Sequence, residues 1–268
     1  MGFGITDILY FRSMKIAWKD IEHVCDLGLQ QIHCEAGYDY VLDFIQSCTE
    51  SVILDVAEVK KYFSNGYMID FWKACDKAYT ALEVVGNRDF YFFDLNFDDV
   101  PNKLLNHFDL VCNAGTTEHV MNQHNAFKVI HELTRVGGYM YHALPFSGYH
   151  DHGLVNYNMK FFTLLARVNN YRLIDAYFSM GNENDGLQRS IVKLLNQKKD
   201  FVPPEKQKAE WIKANFKSVD AGIRIFFQKQ KEAAFCVPVD VPSTRGFSVN
   251  QNGSLKQKSW PKPLKFLG

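Results

Sequence analysis

Apolar and polar positions are most legible through the middle of the chain. Phe90-Tyr91-Phe92-Phe93 is a short aromatic run ending in Asp94-Leu95-Asn96, the pattern of a buried strand entering a polar turn. Phe108-Asp109-Leu110-Val111-Cys112 gives another strand, broken by Asn113-Ala114-Gly115. From about Val120 to Val136 the period changes. Phe127, Ile130, Leu133 and Thr134 recur at spacings of three and four, which predicts an amphipathic helix. Gly137-Gly138 is expected to end that helix through a left-handed turn, and Tyr139 to Leu144 to form the next strand, stopped by Pro145. A helix from about Met159 to Asn169 and a strand from Tyr171 to Phe178 complete a β-α-β-α-β series.

The flanks extend this series. Ile21 to Cys25 reads as a strand turning at Asp26-Leu27-Gly28, and Tyr79 to Val85 as another, preceded by a helix near Asp70 to Lys77. Residues 35 to 65 hold more helical material than one crossover needs, so a helical insertion near the ligand is expected there. Ile223-Arg224-Ile225-Phe226-Phe227 supplies a last strand. The expected fold is a Rossmann-like α/β domain: a seven-stranded, mostly parallel sheet, helices on both faces, and an antiparallel last strand. The domain should span residues 1–242. Residues 243–268, with five basic and no acidic side chains, should form a loosely ordered basic tail.

Composition narrows the functions open to such a domain. Thirty basic residues balance thirty acidic ones, which argues against a general grip on nucleic acid or an anionic membrane. No apolar run approaches the roughly 18 residues of a membrane span, and no signal peptide opens the chain. Six scattered cysteines without a CxxC pair read as reduced thiols in a cytoplasmic protein. No metal is expected. His150 and His152, with Asp151 between them in a loop, are too few ligands for a site.

In an open parallel sheet, ligands bind beyond the carboxyl ends of the strands, where the strand order reverses. The strand ends here carry Asp26-Leu27-Gly28-Leu29-Gln30, Glu83, Asp94-Leu95-Asn96 and Asn113-Ala114-Gly115. These small and polar groups suit a ligand with a ribose, an adenine and a charged amino-acid end. A carboxylate such as Glu83 can accept from both ribose hydroxyls, and Asp94 from the adenine amine. Gly28 lets the backbone come close.

On Leu27-Gly28-Leu29-Gln30, Asp94-Leu95-Asn96, Phe108-Asp109-Leu110-Val111, Gly115-Thr116-Thr117-Glu118-His119-Val120 and Gly137-Gly138, the chain resembles class I S-adenosylmethionine-dependent methyltransferases. It is similar above all to a bacterial branch with LGxQ, DLN, FDLV and GTxEHV motifs. The resemblance is strong over residues 90–165 and weak over 30–80. It implies S-adenosyl-L-methionine as cofactor, held by Asp26, Gly28, Leu29, Glu83, Asp94, Leu95 and Asn113. It also implies catalytic roles for His119, just past the fourth strand, and for His152, in the loop where acceptors enter. His142, inside its strand, is expected to pack.

The expected activity is methyl transfer to oxygen or nitrogen of a small polar metabolite, a sugar among them. Neither nucleic acid nor membrane is an expected partner, and a homo-oligomer is compatible with the pattern. The chain departs from the family in having Gly28 alone where two or three glycines are usual. That keeps open an inactive, fold-retaining partner subunit. It weighs more heavily against a nicotinamide-dependent oxidoreductase, which needs those glycines to seat a pyrophosphate.

Overall fold

A computed structural model describes residues 2–34, 36–51, 54–85, 90–180 and 220–240, with two short paired strands, β11 (Phe247–Val249) and β12 (Leu255–Gln257). The central sheet has seven strands: β2 (His23–Leu27), β5 (Ala78–Glu83), β6 (Tyr91–Phe92), β7 (Phe108–Ala114), β8 (Thr134–Ser147), β9 (Tyr171–Met180) and β10 (Ala221–Lys229). Their order across the sheet is β6-β5-β2-β7-β8-β10-β9. The pairings from β6 to β8 are parallel, and β10 runs antiparallel to both its neighbours. This is the expected Rossmann-like sheet with its antiparallel last strand. The chain runs outward from β2 through β5 to β6, then crosses to β7 on the other side. The order therefore reverses between β2 and β7, where ligands are held in such sheets.

Period-two alternation builds the two layers. On β7, Leu110 and Cys112 enter one core while Val111 enters the other; on β10, Phe226 opposes Ile225 and Phe227. One face is covered by α5 (Gln123–Leu133) and α6 (Met159–Asn169). The other lies under α1 (Ile5–Ser13), α2 (Tyr38–Cys48), α3 (Val56–Phe63) and α4 (Met68–Ala74). Most of these last helices fall in or beside the segment expected to be inserted. A small sheet of β1 (Phe3–Gly4), β3 (Gln31–His33) and β4 (Asn65–Tyr67) edges that layer. Among the described residues no helix is long and apolar enough to cross a membrane. Apart from β11 and β12, the expected tail lies outside the described residues.

Three local expectations are corrected. First, β2 runs two residues later than its apolar run suggests, so Asp26 and Leu27 are strand residues paired with Ala81 and Leu82. The turn comes at Gly28, at φ +79°. Second, Gly137-Gly138 does not cap a helix. α5 ends at Leu133, where Thr134 Oγ1 donates to the Ile130 carbonyl at 2.7 Å. The glycines form an irregularity inside β8, with Gly137 at φ +80° and a register shift opposite Phe108 and Leu110. A Cβ on Gly138 would stand 2.9 Å from the Phe108 carbonyl oxygen, so the strands could not approach with any other residue there. Third, Pro145 does not stop β8, which continues to Ser147. Pro145 pairs with Gly222 beside a bulge in β10, where a missing N–H is tolerated.

Candidate functional site

At the reversal point the loop after β2 is bound tightly to its neighbours. Gly28 N–H donates to the Leu82 carbonyl at 2.7 Å. Thr116 Oγ1 and Gln30 Nε2 both donate to the Leu27 carbonyl, and Gln30 Nε2 also reaches Thr116 Oγ1 at 3.0 Å. A Cβ on Gly28 would stand 3.1 Å from each of those two side chains and 3.8 Å from Glu83 Oε2. The position thus needs glycine for its left-handed φ and for its crowding alike.

Glu83, at the end of β5, is locked to the same loop. Its Oε2 accepts from Leu29 N–H at 3.0 Å, and Oε1 accepts from Val84 N–H at 2.8 Å and Val85 N–H at 3.4 Å. A carboxylate offers about four lone-pair sites, so acceptor capacity remains. One strand further out, Phe93 N–H donates to the Glu83 carbonyl at 3.0 Å, which sets the following Asp94 beside it. Asp94 closes a local turn, with Oδ1 accepting from Asn96 N–H at 2.8 Å and from Asn96 Nδ2 at 3.1 Å.

The other expected residues of this half face inward. Leu95 is buried in the core under α5. Asp26 is wholly buried in β2, where Tyr79 OH donates to Oδ2 at 2.9 Å and Oδ1 meets no donor. Burial pushes its carboxyl up to about 7, although hydrogen bonds from Tyr79 and Cys112 favour the anion. Asn113 is wholly buried too. Its Nδ2 donates to Thr117 Oγ1 at 2.8 Å and its Oδ1 accepts from Thr117 N–H at 3.2 Å. Its side chain therefore shapes the turn that follows β7.

That turn, Thr117–His119, carries one of the groups expected on the acceptor side. Tyr157 OH, 3.0 Å from Thr117 Oγ1 and 2.5 Å from Gln123 Oε1, braces it from the next loop. Glu118 is wholly buried and points between two imidazoles: Oε1 lies 3.9 Å from His119 Nε2 and 3.8 Å from His152 Nε2. The two rings stand 5.1 Å apart, centroid to centroid. Both histidines expected at the acceptor side are thus brought together. The loop bearing His152 is seated on Glu118 itself, whose carbonyl accepts from Leu154 N–H at 2.7 Å and Val155 N–H at 3.2 Å. Gly153 permits this approach, since a Cβ there would meet Glu118 Cγ at 3.0 Å. Tyr149 and Asp151 adopt left-handed φ in the same tight turn, the kind of strain that collects at functional loops.

Burial pushes the Glu118 carboxyl up to about 7. His119 is held below its ordinary value by partial burial and by the nearby His152. His142, by contrast, is a packing residue. It is wholly buried against Phe127 and Phe162, and burial drives its pKa down to about 3.

Glu118 is the residue that sequence reasoning missed. The sequence places it only within the Gly115–Val120 motif; it caps no helix, since α5 begins four residues beyond His119 and is capped by Asn122, which accepts from Asn125 N–H at 3.1 Å. The usable signal is Gly153 directly after His152, because a glycine beside a candidate histidine marks a close approach. A separate cleft of about 320 Å³ between α5, α6 and residues 235–240 contains none of the expected site residues.

No protein-family model matches the chain, and no curated protein matches it. Among solved structures it is similar to the 1,6-didemethyltoxoflavin-N1-methyltransferase of Burkholderia thailandensis, at 13% identity over 84% of this chain and 76% of that one, TM-score 0.42. It is also similar to an O-methyltransferase from a trans-AT PKS multienzyme of Brevibacillus brevis, at 10% identity over 85% and 72%, TM-score 0.42. A SAM-dependent methyltransferase from Archaeoglobus fulgidus gives 11% identity over 84% and 93%, TM-score 0.41. Likeness at this level adds nothing to the fold that the strand order establishes by itself.

Proposed function

We propose that the chain is an S-adenosylmethionine-dependent methyltransferase acting on oxygen or nitrogen of a small polar acceptor. The observation that carries this reading is the Gly28–Glu83 cradle at the strand-order reversal: a glycine at left-handed φ in a crowded turn, hydrogen-bonded through the next residue to a carboxylate with free acceptor capacity. Glu83 would hold the ribose hydroxyls, and Asp94 would use Oδ2 for the adenine amine. When bound, S-adenosylmethionine supplies an electrophilic methyl group on a sulfonium. The chain's own task is to orient the acceptor against it and to take up the proton the acceptor loses. A neutral imidazole at His119, with 46% of its side chain exposed, and His152 beside it provide that group on the acceptor side.

One observation favours a second reading, an inactive partner subunit of the same fold: Gln30 and Thr116 fill the space around a lone glycine. Titration calorimetry of the whole chain with S-adenosylmethionine and S-adenosylhomocysteine separates the two. Saturable binding that weakens in Glu83→Ala supports the enzyme. No heat at millimolar ligand removes it in favour of the partner subunit.

A further inference from the structure

Glu118, His119 and His152 offer one carboxylate oxygen and two ring nitrogens, all within 4.8 Å of one another. Their surroundings do not satisfy them. Glu118 is wholly buried, neither of its oxygens meets a donor from another described residue, and His152 Nε2 is buried without a partner as well. The separations of 3.8 and 3.9 Å between Oε1 and the two Nε2 atoms are too long for hydrogen bonds. A carboxylate buried without donors is strongly disfavoured as an anion, so the three converging atoms suit a cation held between them.

We propose that Glu118, His119 and His152 form a site for one divalent transition-metal ion of the zinc class. Two imidazoles and one carboxylate are a donor set such ions favour, with metal–ligand distances of about 2.0–2.2 Å. A tetrahedral ion at those distances sets its donors about 3.3–3.5 Å apart. The two carboxylate–imidazole separations exceed that by roughly half an ångström or less, and the pair of ring nitrogens, within 4.8 Å, by up to about 1.4 Å, so the rings must close on the ion. The scaffold is built before any ion arrives: Asn113 and Thr117 fix the turn that bears Glu118 and His119, and the Glu118 carbonyl fixes the loop that bears His152. Three protein ligands leave a position open, as in catalytic rather than structural sites. With the ion in place the rings are ligands. An acceptor hydroxyl at the open position would then lose its proton to water, the task otherwise left to His119.

Metal occupancy does not depend on the methyl-transfer reading and is measured without it. The full chain, stripped with a chelator, is titrated with cobalt(II), and the visible absorption of the bound ion is followed, with zinc(II) as competitor. One equivalent should bind, zinc should displace it, and His119→Ala and Glu118→Gln should each weaken binding by about tenfold or more. His150→Ala, in the same loop, should not. Circular dichroism confirms that each variant folds; His119, the most exposed ligand, is the safest of the three to replace. Failure to bind cobalt(II) at 100-fold excess, or affinity unchanged in His119→Ala, overturns the site. S-adenosylhomocysteine binding in the same samples keeps the outcomes distinct. Cofactor bound without metal sinks only the metal site, and metal bound without cofactor sinks only the methyltransferase.

Discussion

Glu83 and Glu118 stand at opposite sides of the strand-order reversal and could hardly differ more in their surroundings. Glu83 is half-buried and meets three backbone N–H groups, one of them from the glycine loop. Glu118 is wholly buried and receives none from its neighbours. The same side chain is therefore a finished part of the scaffold in one place and an unfinished one in the other. Where the backbone already satisfies a carboxylate, a ligand adds hydrogen bonds to a fixed frame. Where burial leaves it bare, a proton or a cation must complete it.

The contrast can be broken from either side. The largest effect should come from His119→Ala: turnover of an acceptor found by screening should slow by roughly 10²–10⁴, with S-adenosylhomocysteine affinity unchanged by calorimetry. Normal turnover would return the ring to a structural role. On the other side, Glu83→Ala should weaken cofactor binding by about 1–3 kcal/mol, the loss expected for charge-assisted hydrogen bonds. Unchanged affinity would take Glu83 out of the site.

Asp26 sharpens the comparison, being a wholly buried carboxylate on the strand beside that of Glu83, with Tyr79 donating to one of its oxygens. Its folded pKa of about 7 lies above the ordinary 3.8, so the folded chain holds that proton more tightly than the unfolded one. The stability it contributes is fullest below about pH 4 and is lost as pH rises toward 7. Denaturant unfolding across that range should show the wild type losing stability relative to Asp26→Asn, by at most about 1.4 kcal/mol per pH unit. A difference that does not change with pH would mean the carboxyl is not held neutral. The smallest effect belongs to a helix cap away from both halves. Asn158 caps α6 by accepting from Phe161 N–H at 3.0 Å, and Asn158→Ala should cost about 1 kcal/mol of stability while leaving cofactor affinity alone.

The sheet was legible because its strands are buried on both faces and flanked by turn residues, so β7, α6 and β10 fall close to their apolar runs. α1 was not, since Ile5, Asp7, Ile8, Leu9, Tyr10 and Phe11 are all buried and no polar face marks its period. The glycine pair at 137 and 138 misled because a helix end and a strand irregularity ask for the same residue. Within the site, Gly28 and Glu83 could be placed from strand ends alone, and they do meet. Asp26, Leu95 and Asn113 sit at or near strand ends too, but side chains alternate faces along a strand, and a one-residue slip in register reverses which way each one points. Glu118 was unreadable for another reason: its burial is created by residues 152–155, more than thirty positions away, and burial gives it its chemistry.

Glu118 turns its carbonyl to the loop around Gly153 and its carboxylate to the two rings. In the proposed enzyme, doorway and reacting centre would in that sense be the two arms of one lever. A swing of the loop wide enough to admit a bulkier molecule would drag the charge along with it, so access cannot be widened without detuning the chemistry behind it.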